Sequence, residues 1–141
     1  MSLEVELGDV RRHVERLGAL ANLISTGDDG APHVVSVLVA AANDRLHTTV
    51  GGRTRANLVA RHRLCLLWPV PAPAPAGGGR YQLILDGEAA TIGDLDDAGR
   101  APVTIDVMTG ILHRVAGTHV DSGDAPSCIS LDTPGSPPAD T

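Results

Sequence analysis

Apolar residues recur along this chain with two different periods. Leu7, Val10, Val14 and Leu17 fall three or four apart, with Asp9, Arg11, Arg12, Glu15 and Arg16 between them. That spacing predicts an amphipathic helix covering one side of a core, and Gly18 is its expected stop. Beyond Gly18 the pattern shortens. Residues 19–26 and 31–42 are apolar, β-branched runs flanking Gly27-Asp28-Asp29-Gly30, which predicts a β-hairpin. Pro32 sits at the start of its second strand, where a missing N–H need not break a ladder. Asn43-Asp44 then turns the chain into a third strand over residues 45–50, giving a three-stranded antiparallel meander.

Gly51 and Gly52 end that strand, and a short helix is expected to begin near Thr54. Residues 63–70 form a fourth strand. The run PAPAPAGGG over residues 71–79 cannot be a central strand and predicts a loop. In the fifth strand, residues 80–92, Tyr81, Leu83 and Leu85 alternate with Gln82, Ile84 and Asp86, and Gly87 suggests a bulge. Residues 93–102 read as an acidic turn and residues 103–112 as a sixth strand. Residues 1–120 are expected to form one domain, and residues 121–141 an irregular tail rich in Gly, Pro, Ser and Asp. Six antiparallel strands, an N-terminal helix and a short helix between strands three and four predict a mainly β fold, a small barrel with helices at its edges.

Composition sharpens this picture in two places. Of the 141 residues, 43% are hydrophobic but only 1% aromatic, so the core must be aliphatic. The formal net charge is -6, which argues against a nucleic-acid partner, since that needs a broad basic face. Apolar runs fall short of the roughly 20 residues of a membrane span, and the N-terminus lacks the basic start and apolar stretch of a signal peptide. A cytoplasmic protein with no membrane partner is the expectation. Two cysteines, Cys65 and Cys128, make no disulfide framework.

Against the acidic background, residues 45–63 carry five arginines and no carboxylate. A strand that turns through glycines into a helix start offers free N–H groups and partial positive charge, which suits a phosphate. Arg53 and Arg55 stand at that mouth as charge-assisted donors. The run GGRT is not a P-loop, and no Gly-x-Gly-x-x-Gly follows a strand. Other candidates have plainer roles. His33 and His47 read first as hydrogen-bonded strand histidines, with approach to the edge of a bound ring as the alternative, Cys65 as a core thiol, Asp28 and Asp29 as turn formers, and Trp68 as a packing or interface residue. The spacing of His113, His119 and Cys128 matches no common zinc pattern, so no metal is expected. No Gly-x-Ser-x-Gly elbow supports a hydrolase, and no catalytic residue is assigned.

In order, the segments LANLISTGDDGAPHVVSV, DRLHTTVGGRTRANL, LCLLWP and LILDGEA resemble the flavin-binding split β-barrel family related to pyridoxamine 5'-phosphate oxidase. The resemblance spans roughly residues 7–92. It implies a homodimer that holds FMN, or in some branches a deazaflavin, at the dimer interface, and an oxidoreductase acting on a small molecule. It implies that Arg53, Thr54 and Arg55 meet the cofactor phosphate, with Asn57 bracing the turn. Val35, Ser36, Val37, Thr48, Thr49 and Val50 would line the ring and ribityl chain, and the opposite subunit would contribute Trp68, Arg80 and Gln82. Many relatives place a lysine in the phosphate turn, where this chain has Thr54 between arginines. The longer Arg-, His- and Trp-bearing C-terminal segment with which pyridoxamine 5'-phosphate oxidases bind substrate has no counterpart here. The expected activity is therefore of the class and not that enzyme's own. A flavin-binding protein without enzymatic activity is the remaining alternative.

Overall fold

The computed structural model describes residues 2–69 and 81–114. Among these residues, eight strands and two α-helices run in the order β1 (Ser2–Glu4), α1 (Val10–Leu17, entered through a 3-10 turn at Leu7–Asp9), β2 (Leu20–Thr26), β3 (Pro32–Leu38), β4 (Ala40–Ala42), β5 (Arg45–Val50), α2 (Gly52–Ala60), β6 (Arg63–Trp68), β7 (Tyr81–Ile92) and β8 (Ala101–Arg114). All strands belong to one antiparallel sheet ordered β3-β2-β6-β7-β8-β5-β4, with β1 paired to β8.

The six-stranded expectation is corrected at two points. β1 is an added strand that continues into a bond from Val5 N–H to the Gly110 carbonyl at 2.8 Å. The predicted strand over residues 31–42 is two strands. Pro32–Leu38 pairs with β2, whereas Ala40–Ala42 pairs with β5. Between them Val39 is buried and donates its N–H to the Ala19 carbonyl at 2.7 Å. The expected three-stranded meander is therefore broken, since β3 and β5 share no ladder. Period-2 alternation through residues 31–42 carries no mark of this change, because both pieces present the same kind of apolar face.

β3 and β4 are the two ends of the sheet path, yet only Val39 separates them in sequence. The sheet must therefore curl until its ends approach. Thr48 on β5 bridges the gap, its hydroxyl donating to the Leu38 carbonyl at 2.7 Å. The hairpin between β4 and β5 turns through Asn43 and Asp44 at φ 52° and 64°, left-handed values that these two residue types tolerate best after glycine.

Inside the curl lie Ala21, Leu23, Val37, Leu46, Val50, Leu64, Leu66, Trp68, Leu83, Leu85, Val103 and Ile105, with Val10 and Val14 of α1 and Leu58 of α2. The core is aliphatic apart from Trp68, whose indole N–H donates to the Gly18 carbonyl at 2.9 Å. Gly18 itself takes φ 99° and closes α1 through a bond to the Val14 carbonyl. β7 shifts register between Asp86 and Gly87, where a Cβ would stand 2.8 Å from the Asp106 carbonyl oxygen. Only glycine lets β8 approach so closely there. Among the described residues, no helix is long and apolar enough to cross a membrane, and no group of His, Cys, Asp and Glu side chains could hold a metal ion. His119, Cys128 and the whole of residues 121–141 lie outside the described residues.

Candidate functional site

Where the curled sheet is split, β3 and β5 diverge and leave a cleft of about 360 Å3. His33, Val35, Ser36 and Val37 form one wall. Thr49, Val50, Gly51, Gly52, Arg53 and Thr54 form the other, with Arg100 at the margin. The volume is in the roughly 300–1,000 Å3 range of small-molecule sites.

The second wall is the strand–glycine–helix junction. Gly51 is extended at φ -84° and ψ -177°, and its carbonyl accepts the Arg55 N–H at 2.9 Å, the first bond of α2. The N–H groups of Gly52, Arg53 and Thr54 precede that bond, and no side chain caps the helix. A Cβ built on Gly51 meets nothing within 4 Å, and one on Gly52 meets only Leu95 Cδ1 at 3.9 Å. Neither glycine has a positive φ. The fold itself therefore does not require glycine at either position. The two glycines leave the approach to the helix start open.

Charge follows the same geometry. Arg53 and Arg100 both line the cleft, no carboxylate does, and neither guanidinium has an acidic partner among the described residues. A cationic mouth thus adjoins Val35, the one part-exposed valine of the lining, whereas the Val37 and Val50 side chains are buried in the core. That combination suits an anionic group carried beside an apolar one.

The residues expected at the site separate into two groups. Val35, Ser36, Val37, Thr49, Val50, Arg53 and Thr54 come together in the cleft. The others are placed differently. Thr48 points inward, bound to the Leu38 carbonyl. Arg55 turns from the mouth to the β7–β8 connection, where Nε donates to the Gly93 carbonyl at 2.7 Å and Nη2 pairs with Asp94 at 3.4 Å. Asn57 does not brace the turn; it is buried and donates to Ser25 Oγ at 3.1 Å, fixing α2 on β2. Trp68 is fully buried in the core and has no surface to offer a second subunit. Gln82 lies on the outer face of β7, opposite His113, away from the cleft. Arg80 is outside the described residues.

Two lining residues were not among those expected to bind the cofactor. His33 reads first as a strand histidine, with approach to a bound ring as the alternative, and the divergence of β3 from β5 sets it beside a cavity. Arg100 lies in a turn dominated by Asp94, Asp96 and Asp97, so local composition points away from an anion site. Its position becomes apparent only when the β7–β8 connection is seen folded back on β5.

A second cleft of about 400 Å3 lies between α1, β4, β5 and β8. Arg11, Asp44 and Arg45 are on its rim, and Arg45 is engaged with Asp106 at 2.7 Å. The first residues of α1, Val10 and Arg11, line it, but Asp44 beside the arginines and the Arg45–Asp106 pair make it the poorer anion site.

No family model matches the chain. Uncharacterized proteins of Mycobacterium bovis and Mycobacterium tuberculosis are each 33% identical to it over 108 residues, covering 75% of this chain and 64% of theirs. The chain thus spans less than two thirds of the length of these curated relatives. Among solved structures, a pyridoxamine 5'-phosphate oxidase-like protein of Listeria innocua superposes with a TM-score of 0.59 at 16% identity, over 76% of this chain and 98% of its own. An F420 reductase gives 0.54 at 15% identity over 65% and 88%. The styrene monooxygenase flavin reductase of Pseudomonas putida gives 0.51 at 10% over 66% and 77%. The curled sheet with its split between β3 and β5 is therefore the split-barrel fold of the pyridoxamine 5'-phosphate oxidase-like and flavin reductase proteins.

Proposed function

We propose that the chain binds FMN in the β3–β5 cleft and works as a flavin-dependent oxidoreductase on a small molecule. The observation that carries this reading is the continuity of the cleft: the space between β3 and β5, beside Val35 and Thr49, leads directly to an uncapped helix start with an arginine beside it. Solved proteins of the same fold include flavin and F420 reductases, which supports a flavin-type cofactor. When bound, such a cofactor supplies the hydride and electron chemistry. The chain's own part is to bind and orient. Val35, with the β3 and β5 strands on either side, would cover the ring. The N–H groups of Gly52, Arg53 and Thr54, with the Arg53 guanidinium, would hold the phosphate.

FMN is our reading over a deazaflavin because, beyond Arg53 and Arg100, the nearby arginines are engaged elsewhere. The longer acidic tail of a deazaflavin would need more cations along the groove. Arg45 pairs with Asp106 on the other cleft, Arg61 with Asp28 at 2.8 Å, and Arg63 sits on β6 opposite Glu88.

A homodimer fits the outer face of β2 and β3. Leu20, Val34 and Leu38 are 62%, 56% and 68% exposed, and the ladder pairs Leu20 with Leu38 and Ile24 with Val34. Asn22 and Ser36, bonded to each other, stand between the two apolar pairs, but exposed apolar side chains on both sides of them call for cover, and a second copy would provide it. Light scattering would then give twice the chain mass, and Leu38→Glu would halve it.

The test of the cofactor is an absorbance scan of the purified protein, followed by titration with FMN and with a deazaflavin. FMN should bind with flavin fluorescence quenched, and Arg53→Ala should weaken it about 10- to 100-fold, since a hydrogen bond to a charged group contributes roughly 1.5–3 kcal/mol. Turnover of candidate acceptors by the loaded protein separates an enzyme from a flavin carrier. Protein indifferent to both cofactors would overturn the reading.

A further inference from the structure

We infer that Arg100 is a second cationic arm of the cleft, selecting a phosphorylated ligand over its uncharged counterpart, and that Arg55 is the residue that positions it. The inference rests on the proposed anion site and concerns a loop to which no role has been given.

The connection between β7 and β8 is folded against β5 and α2 by a specific set of bonds. At its base, Gly93 N–H donates to the Pro102 carbonyl at 2.8 Å. Within it, the Asp96 carboxylate accepts the N–H groups of Ala98 at 2.8 Å and Arg100 at 2.9 Å. Asp96 N–H returns to the Arg100 carbonyl at 2.7 Å, and Gly99 takes φ 75° to permit the turn. From α2, Arg55 holds the start of the loop through Gly93 and Asp94. The result is that Arg100 reaches the cleft and donates one Nη2 hydrogen to the Thr49 carbonyl at 3.1 Å.

A guanidinium has five donor hydrogens, and this contact uses one. Arg53 comes to the same cleft from a different element. Three aspartates, Asp94, Asp96 and Asp97, lie in the loop, yet none of them forms an ion pair with the Arg100 guanidinium. Two unneutralised guanidiniums at one mouth repel each other, and a dianionic phosphate between them would reverse that cost. A ligand lacking the phosphate gains nothing from either.

The experiment compares FMN with riboflavin on wild-type protein, Arg100→Ala, Arg100→Lys, Arg55→Ala and the Arg55→Ala/Arg100→Ala double variant, with orthophosphate as a separate probe. Arg100→Ala should weaken FMN at least 10-fold and leave riboflavin unchanged, and Arg100→Lys should recover part of the loss. Arg55→Ala should weaken FMN only where Arg100 is present, a coupling that general loosening of the fold does not produce. Equal FMN affinity in Arg100→Ala, or an equal fall for riboflavin, would overturn the arm and leave the flavin reading standing. Protein that ignores both flavins but is stabilised by orthophosphate in an Arg100-dependent way would do the reverse. Indifference of the wild-type protein to orthophosphate and flavins alike would remove both.

Discussion

Asn57 on α2 and Ser25 on β2 meet through a single hydrogen bond, Nδ2 to Oγ at 3.1 Å, with both side chains buried. The bond sets where the helix start stands relative to the sheet, because α2 has little else that is specific on its inner face. Leu58 packs without directional preference, and Thr54 is buried one turn nearer the cleft. Asn57→Ala should destabilise the fold by about 1–3 kcal/mol, the cost of leaving a buried polar group without its partner. Ser25→Ala should cost a similar amount, because it strands the amide. Urea denaturation of the double variant should show less than the sum of the two losses. Strict additivity would mean that the pair does not work as a unit.

Glycine at the helix start is the second case in which position and chemistry part company. Gly52 is within α2, lacks a positive φ and has space for a Cβ. On backbone grounds, Gly52→Ala should stabilise the protein by about 0.4–1 kcal/mol. The same methyl crowds the approach of a phosphate to the neighbouring N–H groups, so FMN affinity should fall as the melting temperature rises. Unchanged FMN affinity in this variant would contradict a phosphate seat at Gly52.

What the sequence made legible follows from which interactions are local. Alternation marks Leu83 and Leu85 as inward and Ile84 and Asp86 as outward because period 2 is a property of the strand alone. The glycine pair between β5 and α2 is visible because a strand-to-helix turn is encoded within a few residues. The crossing at Val39 is not, since an apolar run reads the same whether it pairs with one neighbour or two. Nor does Arg55 show its direction: a residue one turn into a helix near a phosphate seat has the right type and spacing, and only the folded β7–β8 loop supplies the Gly93 carbonyl that draws it away. Arg100 is the converse, a site-lining cation hidden among aspartates that are satisfied by their own turn. Arg55 and Arg100 are decided by partners far along the chain, Gly93 and Thr49, whereas at Val39 the chain leaves β2 for a partner, β5, only a few residues on.

Trp68 offers a check on the core that needs no ligand. Its indole is fully buried and its N–H is held by the Gly18 carbonyl at the end of α1. Trp68→Phe removes that bond and part of the ring volume, and should cost about 1–3 kcal/mol. As the chain's single tryptophan, it should emit at short wavelength and resist acrylamide quenching. Its emission should also stay constant on dilution through any dimer dissociation. A red shift on dilution would place it at an interface instead.

His13 gives the fold a specific response to acid. The ring lies on α1, with Nδ1 at 3.0 Å from Arg16 Nη2. Burial, and then the positive charges of Arg16 and Arg12, hold its pKa below the ordinary 6.5, while Asp9 pulls weakly the other way. The neutral ring fits this contact, Nδ1 accepting from the guanidinium with the proton on Nε2. Because the folded pKa is depressed, the unfolded chain binds the proton more readily. The His13 contribution to stability is therefore whole above pH 6.5 and is lost as the pH falls through that value toward the folded pKa. NMR titration should place the His13 midpoint below 6.5. Arg16→Ala should raise it only part of the way, since burial is the larger cause and remains. His13→Gln should flatten the loss of stability on mild acidification. A midpoint at or above 6.5, or an Arg16→Ala variant whose midpoint does not rise, would show that the ring is not held neutral beside Arg16.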